Sequence, residues 1–445
     1  MTSQVFRARQ LPDHGPRSGW TALLPPRIAT PELDRTITVD VAIIGAGFAG
    51  LATAVRLNQL DPGLSITIID ADVVGNGASG RNSGFLIDLP HDISTSDFAG
   101  DVLAKSRNDI VVARSAIRLY AGLAAQHGWA NSVFDPCGKY SVAMTDGGAR
   151  GLAEYSSKLQ LLGEPHLNLN ATEIADVTGT RSFKRGLFTP GAALVQPASL
   201  VRAVADQMQK PIALFENTAA LSIKSTSSGC TVHTAKGRIN ASRVVLAVNG
   251  HAASFGIGRD DLLHIFTYAS LSEPFEPSSL GGARKWGATP ASPMGTTVRR
   301  VDGETGDRIL IRSRYTYNPK ITASAGVIGR AGDLHDKKFA DRFPDLGHLK
   351  MQYRWGGAMA LTWNTVPLFG EVETNIFAAC ACNGIGGTKS TAAGIATAEL
   401  LTGLKTELSD IFRAYEKPQP LPRQPLQALG AKISLKYREW RAGKE

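Results

Sequence analysis

The sequence predicts an α/β protein, α+β overall, in which a Rossmann-type nucleotide-binding domain carries a second, mainly antiparallel-sheet domain. Three observations support this fold class. A strand, a glycine turn, a helix and a second strand follow one another over residues 39–70. A further glycine turn lies between a strand and an apolar helix near residues 383–401. The segments between these motifs carry helix and strand patterns of their own, which indicates insertions into one nucleotide-binding domain.

These patterns divide the chain. Residues 1–38 contain five prolines among polar residues, and we expect an extended N-terminal arm that Trp20, Leu23 and Leu24 fix to the body. The nucleotide-binding domain should be discontinuous, and the two insertions should pair into one antiparallel sheet. The expected nucleotide-binding segments are 39–92, 191–260 and 355–445, and the expected second domain comprises 93–190 and 261–354.

The first element is a complete βαβ dinucleotide fingerprint. An apolar strand over residues 41–44 turns through the hexapeptide GAGFAG into a helix, and a second strand over 65–69 ends on Asp70, 20 residues after Gly50. Gly45 permits the tight turn, Gly47 lets the backbone approach a pyrophosphate, and Gly50 lets the helix lie close to the strand. The helix N-terminus attracts the phosphates, and Asp70 is suited to the ribose hydroxyls and disfavours a 2′-phosphate.

A second glycine-rich loop follows at residues 75–84, with the sequence GNGASGRNSG. So many small residues let the backbone pass close to a flat or phosphorylated group. The GAGFAG turn with its terminal acid, followed by GASGRNSG, resembles the D-amino-acid oxidase superfamily of FAD enzymes, which includes glycine oxidase and sarcosine oxidase. The likeness is nearest to the γ-glutamylputrescine oxidase-like group, and it implies a glutathione-reductase-like architecture.

The resemblance extends over residues 40–440. The strand at 215–218 resembles the one after which a backbone group, here near Ala220, contacts the adenine. The segment 244–250 resembles the strand that returns beneath the nucleotide and ends at Asn249 and Gly250. Near the end, the segments 353–357, 367–370 and 375–377 match the closing pattern of the group in the same order.

The last motif covers residues 383–390, with the sequence NGIGGTKS. A glycine turn at a helix N-terminus suits the partly negative edge of a flavin, and in the family this turn lies under the isoalloxazine. The chain departs from the usual Gly-His-Gly here, and Lys389 is added. Lys389 either stabilises the anionic reduced flavin or extends its ammonium group to water.

The resemblance therefore implies one FAD per chain. Because the GASGRNSG loop offers neither Cys nor His, we expect the FAD to be noncovalent. Cys380 and Cys382 are the remaining candidates for a covalent link. The expected cofactor-binding residues are Gly45, Gly47, Phe48, Ala49, Gly50, Asp70, Ala71, Ser79, Gly80, Arg81, Asn82, Ser83, Gly84, Ala220, Asn249, Gly250, Gly386, Gly387, Thr388 and Lys389.

The candidate substrate residues come from the second insertion. Where most of the family has a Gly-Gly pair, this chain has Arg312 and Arg314, and strict strand alternation would place both on one face with Arg299 or Arg300 on a neighbouring strand. Such a cluster suits a carboxylate or phosphonate. The alternative is a solvated edge strand whose charges prevent aggregation.

Two further side chains are weaker candidates for the substrate pocket. Tyr268 lies on a strand that borders the pocket in the family, although an aromatic residue in a strand is usually part of the core. His251 follows the Asn249–Gly250 turn, and a histidine without a visible partner is more often structural; the same holds for His91. No metal-ligand spacing appears in the sequence, so we expect no metal.

Composition narrows the functional classes. The 445 residues are 43% hydrophobic with a net charge of +9, and no run of five or more Lys and Arg occurs, which argues against nucleic acid as a partner. The basic charge serves either solubility or attraction of an anionic small molecule. No apolar run reaches the ~20 residues of a membrane span and no secretory leader pattern is visible, so we expect a cytoplasmic protein.

The resemblance implies oxidation of an amine by hydride transfer to flavin N5, followed by hydrolysis of the imine to a carbonyl compound. We expect a small primary or secondary amine that bears an acidic group, either an amino acid or an aminophosphonate, and oxygen or another electron acceptor. Two alternatives stay open. The chain could be an amine or polyamine-derivative dehydrogenase that reduces a quinone or a carrier, or a flavin-binding protein without turnover.

Overall fold

The computed structural model describes residues 4–90, 100–208 and 210–445, with side chains from residue 103 in the second segment. His91 and the domain boundary expected near residue 92 lie outside these residues. The strands are β1 (Gln4–Arg7), β2 (Thr36–Ile44), β3 (Ile66–Ile69), β4 (Phe85–Leu86), β5 (Phe134–Asp135), β6 (Lys139–Ala143), β7 (Leu167–Leu169), β8 (Arg185–Thr189), β9 (Ala193–Val195), β10 (Ile212–Phe215), β11 (Ser222–Thr226), β12 (Gly229–His233), β13 (Arg238–Leu246), β14 (Leu263–Ser272), β15 (Trp286–Pro290), β16 (Thr297–Val301), β17 (Arg308–Tyr317), β18 (Met351–Leu361), β19 (Leu368–Glu373) and β20 (Ile376–Cys380).

The helices of these residues begin in the N-terminal arm and end near the last residue. They are α1 (Gly19–Ala22), α2 (Phe48–Leu60), α3 (Gly100–His127), α4 (Asp146–Leu162), α5 (Ala171–Thr178), α6 (Pro197–Asp206), α7 (Ala325–Arg342), α8 (Thr391–Thr402), α9 (Glu407–Ala414) and α10 (Leu426–Ala442). Within the described part of the chain, no helix has the length and apolar character needed to cross a bilayer.

A nine-stranded sheet of the described residues contains the predicted βαβ unit. Its centre is parallel, in the order β10, β3, β2, β13, and β20 pairs with the second half of β13. Strand β2 is buried on both faces, as the low exposure of Val41, Ile43 and Ile44 shows. This is typical of parallel strands that are covered on both sides. The sheet therefore aligns the carboxyl ends of β2, β3 and β13 at one edge.

Helices α2 and α8 pack tightly against each other on this sheet. Their contact is built from alanines and Gly394, where a Cβ atom would overlap the carbonyl oxygen of Ala49. Thr53 Oγ1 donates to the carbonyl of Gly394 at 3.1 Å. Small residues thus allow the two helices that begin at the two glycine turns to lie side by side.

The second sheet combines strands from both insertions, as the sequence predicts. Its order is β18, β14, β17, β16, β15, β6, β8, β7, and all neighbours are antiparallel except β15 and β6. Helix α7 covers one face through Phe339 and, just after its last residue, Phe343, which pack with Ile309 and Ile311. The boundary predicted between residues 354 and 355 falls inside β18, which is the edge strand of this sheet.

The N-terminal arm is more ordered than an extended segment. Strand β1 pairs antiparallel with β11, and Trp20 of α1 is fully buried against Leu271 and Trp355. Of the three residues expected to hold the arm, Trp20 and Leu24 pack on the body, whereas Leu23 is 37% exposed. The arm therefore adds a strand to one sheet and an anchor to the other.

Candidate functional site

A deep cleft lies between the carboxyl edge of the parallel sheet and the second sheet. The space along it, including the solvent at its open mouth, is about 1220 Å³. Its walls include the first glycine turn, Asp70, the loop at residues 75–81, the segment 247–251 and part of β18. Because the walls come from both sheets and from the loops between them, a ligand in this cleft would contact both domains.

The first glycine turn has the geometry expected of a phosphate-binding turn. Gly45 has φ +106°, a left-handed conformation that favours glycine, and a Cβ there would approach the carbonyl oxygen of Ala247 to 2.6 Å. A Cβ on Gly50 would overlap the carbonyl oxygen of Gly45. Phe48 and Ala49 are buried in the first turn of α2, and the residues of this turn that line the cleft are Gly45, Ala46 and Gly47.

The loop at residues 75–80 repeats the same turn. Its sequence, GNGASG, has the GxGxxG spacing of GAGFAG; Gly75 has φ +95°, and a Cβ on Gly80 would overlap the carbonyl oxygen of Gly75. Ser79 Oγ accepts a hydrogen bond from the amide of Phe48 at 3.0 Å, so the second turn caps the helix of the first. The repeat is visible in the sequence as two copies of one spacing, and our sequence analysis missed it.

Asp70 closes the first turn from the end of β3. Its Oδ2 accepts the amide of Ala46 at 2.7 Å, and its Oδ1 accepts the amide of Asp72 at 3.0 Å. Burial raises the pKa of Asp70 to about 6, against these two hydrogen bonds, which lower it. Asp70 and Ala71 both line the cleft, and a carboxylate can accept more hydrogen bonds than these two.

The rest of the glycine-rich loop connects the two domains. Arg81 is buried and donates to the carbonyls of Gly356 and Pro16, each at 2.7 Å, while burial lowers its pKa to about 10. Asn82 Nδ2 donates to the carbonyl of Ser79, and Asn82 Oδ1 accepts the amide of Gly84. Ser83 completes this loop. Arg81 therefore anchors the loop to both the arm and β18.

The N-terminal arm forms an outer wall of the cleft, which the sequence did not predict. Residues 10–14 line it, and the ring of His14 lies near the position that a Cβ on Gly77 would take. Burial, and then the charge of Arg81, lower the pKa of His14. Prolines at positions 12 and 16 gave only a signal of extended chain, which does not specify where the chain lies.

The segment after β13 lines the opposite wall, close to Ala220. Asn249 has φ +47°, and its Oδ1 accepts the amide of Ala381 at 3.1 Å. His251 also lines the cleft, and its partner is Ser254 Oγ at 3.3 Å from Nδ1. Burial lowers the pKa of His251 to about 4, so this imidazole is neutral at neutral pH.

The C-terminal glycine turn forms one π-helical turn, Gly386–Ser390, before α8. Gly387 lies against β4, where a Cβ would approach Leu86 Cδ2 to 2.7 Å, and Thr388 Oγ1 donates to the carbonyl of Ile87. Lys389 forms an ion pair with Asp109 of α3 at 3.0 Å. Neither alternative for Lys389 anticipated this partner, because Asp109 is distant in sequence.

The four arginines of the second domain do not form one cluster. Arg299 is buried, stacks over Trp20 and donates to the carbonyls of Gly84 and Val195. Arg300 is also buried and bonds to Asp307 and to backbone carbonyls. Both side chains are therefore held by partners within the protein.

Strand β17 does not alternate strictly as expected, and Arg312 and Arg314 contact different partners. Tyr268 pairs with Ser313 and Thr267 with Tyr315, so Arg314 is the extra residue of a β-bulge with φ +65°. Arg312 stacks on the ring of Tyr315, whereas Arg314 forms an ion pair with Glu439 of α10 at 2.9 Å. Neither arginine is among the described residues that line the cleft.

The end of the cleft beside the second sheet is apolar. Phe266 of β14, Ile321, and Ala358 and Met359 of β18 line it. Tyr268 is buried among Phe266, Ile321 and Ile328, and its hydroxyl bonds to Thr316 Oγ1 at 2.6 Å. The cleft thus joins a polar glycine-rich half to an apolar half.

Comparisons with known proteins agree with this arrangement. The family model of FAD dependent oxidoreductases matches residues 40–400. The chain is 27% identical over 438 residues to gamma-glutamylputrescine oxidoreductase of Escherichia coli (strain K12), covering 90% of this chain and 92% of that protein. Among solved structures, glycine oxidase from Geobacillus kaustophilus gives a TM-score of 0.67 at 22% identity, covering 83% of this chain and 96% of that one. L-proline dehydrogenase from P. horikoshii gives 0.66 at 19% identity, covering 86% and 98%.

Proposed function

This chain belongs to the D-amino-acid oxidase family of FAD-dependent oxidoreductases, and from that premise we propose that it oxidises the C–N bond of a primary or secondary amine to an imine. Water then hydrolyses the imine to a carbonyl compound and ammonia or a smaller amine. The observation that carries this proposal is the continuity of the cleft, whose glycine-rich half opens directly into an apolar half.

The residues of the glycine-rich half fit FAD. In both glycine turns an added Cβ would collide with backbone, and α2 begins at the first turn, where its N-terminus suits a pyrophosphate. Asp70 can accept hydrogen bonds from ribose hydroxyls, and the backbone near Ala220, which lines the same cleft, is the candidate contact for the adenine. Buried thiols with raised pKa values, about 12 for Cys380, are poor nucleophiles, which supports noncovalent binding.

When bound, FAD supplies a hydride acceptor. The protein's own part is to hold the amine's α-carbon in place and to exclude water. Phe266, Ile321 and Met359 provide an apolar chamber, which favours a neutral amine over an ammonium ion. The neutral imidazole of His251 adds no positive charge to this wall, so it does not oppose the entry of a basic substrate.

The proposed substrate carries its acidic group away from the reacting carbon. The apolar half has no cation among the described residues that line it, apart from Arg81, whose guanidinium is bonded to backbone carbonyls. Arg312 lies on β17 outside the lining, is partly buried, and is the candidate partner for a distant carboxylate or phosphonate. The name of the E. coli relative specifies γ-glutamylputrescine, an amine of this kind.

Anaerobic mixing with a series of amines tests the proposal, with loss of the flavin absorbance band as the readout. The series contains amines with an α-carboxylate, with a remote carboxylate or phosphonate, and without an acid. We expect bleaching at the lowest concentration by the remote-acid amines. Preference for α-amino acids would contradict the placement of the acid, and a flavin that no amine bleaches would indicate a flavin-binding protein without turnover.

The electron acceptor is tested separately. After anaerobic reduction, reoxidation by oxygen with a stoichiometric yield of peroxide indicates an oxidase. Slow reaction with oxygen and fast turnover with a quinone or an artificial dye indicate a dehydrogenase.

A further inference from the structure

Helix α10 presents an apolar stripe to solvent. Five of its large apolar residues are separated by three or four positions, which places them on one side of the helix. Each is strongly exposed: Leu426 67%, Leu429 57%, Ile433 58%, Tyr437 56% and Trp440 76%. The stripe is about 21 Å long at 1.5 Å per residue. Scattered exposed apolar residues are common, but a continuous stripe of this size indicates a contact surface.

The opposite side of α10 is fixed to the second sheet. Glu439 accepts hydrogen bonds from Arg314 at 2.9 Å and from the amide of Tyr315 at 2.7 Å. Ala442 is buried, and Arg342 donates to the carbonyl of Lys444 at 2.8 Å. The helix is therefore oriented by its polar inner side, and the outward position of the stripe is a consequence of that attachment.

The charges beside the stripe have one sign. Lys432 and Lys436 lie along one side of it and Arg441 along the other, and all three are exposed. Glu439 is the only carboxylate side chain in α10, and it faces inward to Arg314. A second copy of this chain fits poorly, because a symmetric contact would bring these cations against their own copies.

We propose that α10 docks the protein on an anionic lipid bilayer surface. In this arrangement the stripe enters the boundary between headgroups and acyl chains, and the flanking cations contact the acidic headgroups. Trp440 and Tyr437, whose ring centroids are 6.0 Å apart, are residue types that favour this boundary. The docking is peripheral, and it places the second sheet, through β17, next to the membrane.

Vesicle co-sedimentation of the FAD-saturated full chain tests the proposal. One set of vesicles contains phosphatidylcholine with phosphatidylglycerol, and the other contains phosphatidylcholine alone. We expect binding to the first set at low salt, weaker binding at about 1 M salt, and little binding to the second set. Absence of binding to anionic vesicles at low salt overturns the proposal.

Variants on exposed positions separate the stripe from general stickiness. Ile433→Ser and Trp440→Ser should each weaken vesicle binding by about tenfold, and Lys432→Ala and Lys436→Ala by about fivefold each. The matched control is Trp363→Ser, because Trp363 is also exposed, at 63%, but lies outside α10. Flavin content and thermal midpoint should be unchanged in all of them.

Two results would overturn the assignment of this surface. An equal loss of binding in Trp363→Ser would show that any exposed aromatic residue suffices. Concentration-dependent dimerisation in gel filtration that Ile433→Ser abolishes, without binding to vesicles, would identify a second copy as the occupant.

Discussion

The glycine-rich half of the cleft and the strand β17 both position groups around one ligand site, but they do so by different means. In the glycine-rich half, the geometry is set within six residues, because each of Gly50 and Gly80 lies against the carbonyl oxygen of the glycine five positions before it. In β17, the direction of Arg314 is set by a bulge whose register depends on β14. The first arrangement is local and repeated, and the second depends on tertiary pairing.

This difference decides how each region responds to substitution. A local turn that is closed by backbone atoms cannot relax when a side chain is added, because backbone carbonyls have no other rotamer. A long arginine side chain on a half-exposed strand can rearrange, and water replaces part of what it loses. We therefore expect large, discrete effects in the turns and graded effects in β17.

The largest effect should come from the paired glycines. Gly50→Ala and Gly80→Ala each place a Cβ on a backbone carbonyl, so each should lower FAD affinity by at least about a hundredfold and lower the thermal midpoint. Fluorescence titration with FAD and thermal unfolding measure the two effects. Because the two turns have the same construction, the losses should be similar.

The matched control is Gly151→Ala in α4, where a Cβ meets no atom within 4 Å. It should be neutral or stabilise the protein by about 0.5–1 kcal/mol, since alanine favours a helix. FAD affinity within twofold of the native value in Gly50→Ala would contradict the local description of the turn.

The next effect concerns the ionisation of Asp70. Its native pKa of about 6 lies above the ordinary value of 3.8, so the flavin-free native state binds the proton more tightly than the unfolded state does. The contribution of Asp70 to the free energy of unfolding is therefore present at low pH and is lost as pH rises from about 4 to about 6, by roughly 3 kcal/mol. Chemical denaturation of flavin-free protein across this pH range measures it.

The variant Asp70→Asn separates the titration of Asp70 from that of other carboxylates. These include Asp72 and Glu216, whose charges also act on Asp70. The amide cannot ionise, so the loss of stability between pH 4 and pH 6 should shrink by that amount. Asp70→Ala should in addition weaken FAD binding by about 1–3 kcal/mol, because it leaves the ribose and two backbone amides without an acceptor. An unchanged pH profile in Asp70→Asn would assign the titration to another group.

Arg312 should show a graded effect that depends on the substrate. Arg312→Ala removes a charge-assisted pair worth about 1.5–3 kcal/mol, so kcat/KM for an amine with a remote acid should fall about ten- to a hundredfold. An amine without an acid should be nearly unaffected. Steady-state kinetics with the two substrates in parallel measure the difference, and small equal losses would return Arg312 to the solvated surface of the sheet.

The features that local sequence determines could be predicted, whereas those that depend on tertiary pairing could not. The βαβ unit was predicted correctly, because short-range periodicity and the spacing of its glycines determine it. The sequence also predicted that strands of both insertions share one sheet, but not that they meet through the parallel pair β6 and β15. The wall formed by residues 10–14, the ion pair of Lys389 with Asp109 and the bulge at Arg314 were not, because each depends on a partner far along the chain. Strict alternation in β17 failed at the one residue that the ladder leaves unpaired.

The smallest effect should come from Arg314. Its ion pair with Glu439 is 42% exposed on the arginine side, so Arg314→Ala should cost less than about 1 kcal/mol of stability and change kcat/KM by less than about twofold for any amine.

Glu439→Gln provides the decisive comparison. If Arg314 only fixes α10, both variants should give a small loss of stability without a change in activity, because each weakens the same pair, and a Gln oxygen can still accept from the amide of Tyr315. If Arg314 binds the substrate's acid, Arg314→Ala should lose activity on acidic amines alone, whereas Glu439→Gln, which releases the guanidinium, should retain or increase that activity. The bulge would then serve substrate recognition, and the predicted role of Arg314 would hold despite its different direction.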